Sequence, residues 1–346
     1  MKYFQDITLH GKIIRPKKSI INPLFDSKNI LVNDSWNYVD MWLKKKNQKE
    51  ALFYWQQARQ FFEASLVLPD TSSPLTSYYC FLNATKTLLL VKKIVFADRH
   101  GVSGKRRGNI SFDNETVSFK NSGILPSMQK YFEESMRSEE YTLKQLLQNL
   151  IFIHRAYNLT YTSSGELFIP LKNVRFVKAT KSRTNQNGVR EFWLCAEFDT
   201  DIIDGNLTRS LPMGFKYVDG YVVSTKRFKW KTNDQGNKNN IKELEKANKY
   251  YRKKLTYIKG LKTHWYLKKE NTKTINDKSM PTLSFAIMHR LSELSRYSPN
   301  ILAKYLESKN NWLLAEFLDK AKYQFIDKIS SEITGYDFVA GKNLVR

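Results

Sequence analysis

The amino-acid sequence predicts an α+β fold that is mainly α: a helical bundle of amino- and carboxy-terminal helices with a small antiparallel β-sheet inserted between them. Three observations lead to this prediction. Apolar residues recur at steps of three and four from about residue 48 to 93, the pattern changes to alternation near residue 165, and helical spacing returns after residue 236. We therefore expect three regions: an amino-terminal helical region (1–160), a small β region (161–235), and a long basic helix with the carboxy-terminal helices (236–346).

A helical hairpin is the first predicted element. Its first helix starts near Gln48 and stops before Pro69, and its second follows a TSSP turn, with Ser77 available as the N-cap. A further helix is expected over residues 141–155, with a loop at residues 100–126 between it and the hairpin. The apolar positions that would face each other are Leu52, Trp55, Ala58, Phe62 and Leu66 in the first helix and Tyr78, Leu82, Thr85 and Leu89 in the second.

The small sheet is predicted from β-branched and aromatic residues in alternation. The runs ELFIP, VRFVKA, REFWLCAEF, FKYV and YVVSTKRFKWK are typical of strands. Asp219-Gly220 separates the last two runs and predicts a hairpin turn, because both residues tolerate positive φ. In the last strand Phe228 and Trp230 would point to one, apolar face of the sheet. The opposite, cationic face would carry Arg227, Lys229 and Lys231.

One long helix is predicted from Asn239 to Lys269, with Asn240 as its cap and an apolar stripe along one side. Lysines fill the other side. Residues 225–274 contain 16 lysines and arginines and four acidic residues, so half of the net charge of +24 lies in a seventh of the chain. Further helices are expected in PTLSFAIMHRLSELSRY and, after a break at Pro299, in NILAKYLES and WLLAEFLDKAKYQFIDKISSEI.

Composition narrows the class of protein. Apolar residues make up 41% of the chain and aromatic residues 14%, which predicts a folded protein, and 57 Lys and Arg against 33 Asp and Glu predict a polyanionic partner, first of all nucleic acid. Cys80 and Cys195 lie in apolar runs and are expected to be buried free thiols. The amino terminus lacks the apolar segment of a signal peptide, and no apolar run is long enough to span a membrane, so we expect a cytoplasmic protein.

Several motifs resemble a known family. The combination of YWQQARQFFEAS, SYYCFLNATKTLL, HGVSGK and MHRLSELSRYSP resembles the YaaC-like family of bacterial proteins, over most of the chain. None of these motifs has a chemical mechanism attached. The tyrosine-rich second helix with a downstream histidine is also similar to the helical hairpin of HEPN domains, a class common among RNases of bacterial toxin and antiviral systems.

The stretch RHGVSGKRRG (99–108) is the most suggestive candidate site, but it is no P-loop. Arg99 stands where the first glycine is needed, and Arg106 stands where a hydroxyl residue would hold magnesium. HEPN resemblance would imply an arginine four to six residues before a histidine, and none of the five histidines has one; Lys93 precedes His100 as a substitute. The candidate catalytic residues are therefore His100, Lys93 and Arg99. We expect no cofactor, and no Cys/His cluster has metal-ligand spacing.

The favoured hypothesis is a protein of the YaaC-like type that binds nucleic acid, DNA or RNA, without sequence specificity. Fold-level analogy suggests a role in bacterial antiviral defence. One alternative is a metal-independent HEPN-like RNase with a composite site around His100, completed by a homodimer. Another is a subunit of a larger assembly whose basic helix docks on an acidic protein. The predicted nucleic-acid-binding residues are Lys105, Arg106, Arg107, Arg227, Lys229, Lys231, Lys249, Arg252, Lys253 and Lys254.

Overall fold

The chain forms far more β-sheet than its sequence suggests. The computed structural model describes residues 4–32, 34–162, 165–180, 189–200, 211–231, 238–260, 262–270 and 274–340. It is 47% helix and 22% strand, and it contains a large antiparallel sheet, so the predicted helical bundle with a small inserted sheet is wrong. The described residues group into two compact units: a sheet unit from residues within 1–31, 167–274 and 335–345, and a helical unit from residues within 32–166 and 275–334.

The helices and strands are numbered in chain order. Up to residue 166 they are β1 (Phe4–Asp6), β2 (Thr8–Leu9), β3 (Lys12–Ile13), β4 (Ile30–Val32), α1 (Ser35–Lys45), α2 (Lys49–Val67), α3 (Ser73–Val91), β5 (Val102–Arg106), β6 (Glu115–Phe119), α4 (Ile124–Phe132), β7 (Glu140–Thr142), α5 (Leu143–Gln148) and α6 (His154–Thr160). Beyond it they are β8 (Phe168–Ala179), β9 (Val189–Phe198), β10 (Phe215–Val218), β11 (Tyr221–Ser224), β12 (Phe228–Lys231), α7 (Lys238–Arg252), β13 (Leu255–Ile258), β14 (His264–Lys268), α8 (Met280–Tyr297), α9 (Pro299–Leu306), α10 (Asn311–Thr334) and β15 (Phe338–Ala340). Short 3-10 turns lie at Phe112–Asn114 and Ile151–Ile153.

The sheet unit is built on an eight-stranded sheet in the order β10-β11-β9-β8-β14-β13, in which β1 also pairs with β8 and β12 with β9. ELFIP and VRFVKA contribute to one long strand, β8, because a register shift between Lys172 and Arg175 lets the chain continue after Asn173 takes a positive φ of 52°. One face of the sheet packs against α7 through Leu244, Ala247 and Tyr251. The residues of that face recur at every second position, as Phe192, Leu194 and Ala196 do on β9, and the opposite face carries a smaller buried cluster of Val177, Trp193, Cys195 and Val223.

The predicted long helix over residues 239–269 is wrong in its second half. Helix α7 ends at Arg252, and the chain then forms the hairpin β13–β14, whose second strand pairs with β8. Leu255 and Tyr257 are buried while Thr256 is half-buried, so the local pattern has a period of two residues. In the sequence, Leu255, Ile258 and Trp265 also fit helical spacing, and the pairing of β14 with β8 decides between the two.

The turn at Asp219-Gly220 is confirmed. Both residues have positive φ, and Val218 lies opposite Tyr221 across the turn. The two faces of β12 are also as predicted: Trp230 is buried in the core, whereas Lys229 and Lys231 are exposed.

In the helical unit, the hairpin of α2 and α3 is confirmed. The two helices run antiparallel, since the Thr87 hydroxyl donates to the carbonyl of Ala51 and the rings of Phe61 and Tyr79 stack with centroids 5.3 Å apart. The predicted N-cap at Ser77 is wrong. Helix α3 begins four residues earlier, at Ser73, because the following proline suits the first turn of a helix.

In the rest of the helical unit some predicted elements are confirmed and others are wrong. The carboxy-terminal helices are confirmed as α8, α9 and α10, with the break at Pro299. The predicted helix over 141–155 is instead the short strand β7, α5, a 3-10 turn and the start of α6. The predicted loop over 100–126 contains β5 and β6, which pair with β7 in a three-stranded sheet. Gly123, with φ of 126°, ends this segment and precedes α4.

Candidate functional site

The three basic residues of the predicted anion-binding turn lie on strand β5 and just beyond it, and each is paired with a carboxylate. Lys105 and Arg107 are exposed and both contact Glu140, at 2.9 Å and 2.6 Å. These two pairs hold the pKa of the Glu140 carboxyl well below its usual range, at about 2. Arg106 is bonded to the fully buried Glu115 at 2.7 Å. The basic turn is therefore largely neutralised within its own sheet.

Glu115 is the centre of a buried polar network. Its Oε1 accepts hydrogen bonds from Arg106 and from the hydroxyl of Tyr305, both at 2.7 Å. Its Oε2 accepts two from Arg290 of helix α8, at 2.9 Å and 2.6 Å. Arg290 also reaches Glu293, which accepts from the backbone N–H of Gly104 at 3.0 Å. The network connects β5 and β6 to α8 by hydrogen bonds. Arg106 therefore has a structural role and is not available to a ligand.

In the sheet unit, several predicted nucleic-acid contacts have internal partners. The Arg227 guanidinium lies over the Trp193 ring, 4.0 Å from its centroid. Arg252 is buried and lies 5.0 Å from the centroid of the Trp265 ring. Lys254 pairs with Glu270 at 2.8 Å. These three cations therefore make contacts inside the unit that stabilise its fold.

The other predicted residues of this region are nearer to solvent. Lys229, Lys231 and Lys253 are exposed, and Lys249 is half-buried. They lie on different elements, β12 and α7, and the residues between β12 and α7 lie outside the described part of the chain. Lys229 stands opposite Glu191 in the register of β12 and β9. The expected single basic face of residues 225–274 is thus interrupted by internal pairing.

Of the predicted catalytic residues, His100 has the most developed surroundings. Lys93 follows the end of α3 with a positive φ of 57°, and Arg99 is exposed; within the described residues, no hydrogen bond or ion pair joins either to His100. The Nδ1 atom of His100 lies 2.5 Å from the hydroxyl of Tyr78, on helix α3. His100 instead contacts residues that the sequence did not single out.

We call His100, Tyr78 and His289 the histidine cluster. The rings of His100 and His289 have centroids 5.3 Å apart, and Tyr78 meets His289 edge-on at 5.0 Å. His289, on helix α8, is 5% exposed, and its Nδ1 has no hydrogen-bond partner among the described residues. The nearest carboxylate, Glu293, lies 3.7 Å from that nitrogen. Burying an imidazole nitrogen without a hydrogen-bond partner lowers the stability of the fold. That cost makes His289 a candidate for a role beside the exposed His100.

Both imidazoles of the cluster have a pKa below the ordinary value for histidine. Burial, and to a lesser degree the positive charge of Arg296, lowers the pKa of His100. Burial lowers the pKa of His289 to about 3, with further contributions from His100 and Arg290. Burial raises the pKa of Tyr78, so its hydroxyl stays protonated. At neutral pH the cluster is uncharged, and its side chains can both donate and accept hydrogen bonds. Arg296 supplies the positive charge beside it.

A second candidate site, which we call the cationic cleft, lies in the sheet unit. It has a volume of about 860 Å³, and seven lysines and arginines but three aspartates line it. Its cationic rim consists of residues that make no ion pair within the described part of the chain: Lys12, Arg15, Lys28, Lys172 and Lys262. Four of the five are exposed and Lys172 is half-buried. Unpaired cations around one concave surface create the field that attracts an anion.

Two buried lysines form the floor of the cleft. Lys17 is 8% exposed and lies 3.9 Å from the carboxylate of Asp337, and Lys18 donates to the carbonyl of Phe338 at 2.8 Å. The backbone here is held firmly, since the Lys17 N–H donates to the side chain of Asn248 and the Lys18 N–H to Asp337. The floor is therefore rigid and carries more positive than negative charge.

Sequence reasoning missed most of the cleft. The motif IIRPKK near the amino terminus carries Arg15, Lys17 and Lys18, and a short basic run was the signal that could have indicated them. The sequence pattern placed Lys262 and Trp265 in the basic segment, but on a predicted helix that the structure replaces with a hairpin. Only the pairing of β14 with β8 brings that hairpin beside the amino-terminal segment.

The described part of the chain contains no group of three His, Cys, Asp or Glu side chains arranged to hold a metal ion. Both cysteines, Cys80 and Cys195, are buried free thiols, as predicted. Among the described residues, none of the helices is both long enough and apolar enough to traverse a bilayer.

Comparison with known proteins identifies the family. A family model described as YaaC-like Protein matches residues 25–333. No curated protein and no solved structure matches the chain. The resemblance to HEPN domains is not shown by any of these comparisons. Because the match covers most of the helical unit and the greater part of the sheet unit, the chain belongs to the YaaC-like family.

Proposed function

We propose that the protein binds nucleic acid through the cationic cleft of its sheet unit. The observation that carries the proposal is the rim: five cations around one concavity with no carboxylate partner in the described part of the chain. This moves the proposed binding surface from β12 and α7 to the amino-terminal segment and the neighbouring strands β8 and β14. Affinity would come from phosphate neutralisation and counterion release, and no sequence specificity follows from it.

A set of matched variants tests this proposal. The triple variant Lys12→Gln, Arg15→Gln and Lys262→Gln removes three exposed rim charges. The control triple, Lys45→Gln, Lys49→Gln and Lys304→Gln, removes three exposed lysines of the helical unit that have no ion-pair partner among the described residues. Both triples change the net charge equally, so a general effect of charge would affect them alike.

Binding of a labelled 20-nucleotide single strand would be followed by fluorescence anisotropy over a series of salt concentrations. Each lost phosphate contact lowers the slope of log K against log salt by about 0.7, so three contacts amount to about 100-fold in affinity at 0.1 M salt. We expect that loss in the cleft triple and less than threefold in the control. Equal losses in both triples would refute the cleft as the binding surface. Binding of polyglutamate but not of nucleic acid would favour the acidic protein partner instead.

A second candidate function is metal-independent RNA cleavage at the histidine cluster. The observation that favours it is an exposed imidazole, His100, held at 2.5 Å by a buried tyrosine beside the charge of Arg296. In this proposal Nδ1 of His100 donates to the Tyr78 oxygen and Nε2 accepts the proton of a ribose 2′-hydroxyl as its oxygen attacks phosphorus. The 5′-oxygen leaves and takes a proton from the imidazolium through water, which produces a 2′,3′-cyclic phosphate.

The test is incubation with RNA in the presence of a chelator, followed by analysis of the product ends. Cyclic phosphate ends that disappear in His100→Gln and decrease in Tyr78→Phe would support the enzyme. Cleavage that persists in His100→Gln, purified in the same way, would identify a contaminating nuclease. A role in antiviral defence, a cytoplasmic location and a homodimer remain predictions that neither proposal requires.

A further inference from the structure

We infer that the cationic cleft accepts a single strand, with one or two nucleotides entering it, and excludes duplex. This inference rests on the proposed function, because it specifies which nucleic acid that site takes. The evidence lies in the size of the cleft, in the depth at which its cations are placed, and in the apolar side chains between them.

The volume suits a small group and not a double helix. A cleft of about 860 Å³ equals a cube about 10 Å on a side, and it falls within the roughly 300–1,000 Å³ typical of pockets that enclose small molecules. A duplex is far wider, since its major groove alone is about 12 Å across. The phosphates of a duplex could touch the rim, but they could not approach Lys17 and Lys18 at the floor.

The cations lie at two depths. Lys12, Arg15 and Lys262 on the rim are exposed, whereas Lys17 and Lys18 of the floor are nearly inaccessible. A flexible strand that enters the cleft can bring one phosphate into the field of these buried ammonium groups, without touching them, while its neighbours remain at the rim. A stiff duplex presents its phosphates on one convex surface and can use only the rim.

Apolar surface for a base lies between these charges. Ile13 is 43% exposed although it is a large aliphatic residue, and it lines the cleft together with the exposed ring of His264. Trp265 is half-buried beside them and is fixed by contact with Tyr257, with ring centroids 5.4 Å apart. Base faces are flat and apolar, and stacking on aromatic or imidazole rings tolerates any sequence. Paired bases inside a duplex cannot offer such faces.

The experiment compares three ligands of known charge: a labelled 12-nucleotide single strand, a hairpin duplex with the same number of phosphates, and adenosine monophosphate as an unlabelled competitor. The variants are His264→Ala and Ile13→Ala, with Phe53→Ala as the control, because Phe53 is an aromatic residue of the helical unit that is 57% exposed. Circular dichroism at 222 nm establishes that each variant is folded.

We expect the single strand to bind at least tenfold more tightly than the hairpin at equal salt. His264→Ala should weaken single-strand binding by about tenfold, because it removes a ring on which a base can stack. Phe53→Ala should have no effect. Adenosine monophosphate should compete only weakly, since it offers one phosphate to a site with several cations.

Three results would overturn the inference. Equal binding of hairpin and single strand, with the same loss in the Lys12, Arg15 and Lys262 variant, would show that the rim alone binds duplex, and the proposed function would stand. Competition by adenosine monophosphate at the affinity of the 12-mer would identify a free nucleotide as the occupant. No binding of either polymer would refute the proposed function itself.

Discussion

The buried carboxylate of Glu115 offers the sharpest test of how the helical unit is held together. Glu115 is fully buried and accepts four hydrogen bonds, two of them from Arg290 and one each from Arg106 and Tyr305. In Glu115→Gln an amide NH₂ would replace one oxygen and would face donors, Arg106 would lose its counter-charge, and Arg290 would keep only Glu293. Removing one partner of a buried ion pair costs about 3–5 kcal/mol, so we expect a loss of that size in the free energy of unfolding.

The matched control is Glu140→Gln on the neighbouring strand β7. Glu140 also pairs with two basic residues, Lys105 and Arg107, but these are 54% and 63% exposed and water can replace their partner. Its loss should be less than a third of that in Glu115→Gln. A second variant, Glu115→Leu combined with Arg290→Met, should recover part of the stability, because apolar side chains leave fewer buried charges unpaired.

Urea denaturation at pH 7, followed by circular dichroism at 222 nm, measures these differences. A domain of 150–250 residues shifts its melting temperature by about 2–4 °C per kcal/mol, so Glu115→Gln should melt about 6–20 °C lower. Equal losses for Glu115→Gln and Glu140→Gln would refute the argument that burial, rather than the number of basic partners, determines the strength of the network.

Three further predictions concern the same unit. Gly104→Ala should lower the free energy of unfolding by about 1–3 kcal/mol in urea, because the new Cβ would lie 2.1 Å from Cδ of Arg290, which its hydrogen bonds hold in place. Ser103→Ala is the neutral control, and an unchanged urea midpoint for Gly104→Ala would contradict the prediction. Burial raises the pKa of the Glu134 carboxyl to about 7, so its contribution to stability is greatest below its usual pKa and is lost as pH rises to 7. Glu134→Gln should therefore gain up to about 3 kcal/mol relative to the parent between pH 4.5 and 7.5, and a constant difference across pH would rule this out. Burial lowers the pKa of His289 to about 3, so its effect on stability has the opposite pH dependence: the parent should lose stability as pH falls below 6.5. The melting temperature of His289→Gln should fall less steeply than that of the parent as the pH is lowered. Equal falls in the two proteins would argue against a buried neutral imidazole.

Local patterns predicted local structure well. Helical spacing in ALFYWQQARQFFEAS and in MHRLSELSRY predicted α2 and α8, and Asp219-Gly220 predicted the β10–β11 turn, since each depends on residues a few positions apart. The same patterns failed at residues 253–269, where apolar spacing fits a helix and a strand equally. There the long-range pairing of β14 with β8 decided the outcome.

The candidate sites show the same division. His100 was identified from its place in a basic glycine-containing turn, but its partners Tyr78 and His289 are 22 and 189 positions away, and no local signal joins them. Likewise, charge counting indicated a cationic protein without indicating which cations stay unpaired. Arg106 and Lys254 were plausible phosphate contacts until the fold placed Glu115 and Glu270 beside them.

Motifs, composition and the spacing of neighbouring residues were enough to predict the family, the positive charge and most of the helices. The size of the sheet, the pairing of the basic side chains and the location of the cleft depend on contacts between distant segments. A basic side chain is available to an anion when the fold leaves it without a carboxylate partner. That condition depends on residues brought together from distant parts of the chain, such as Arg15 and Lys262.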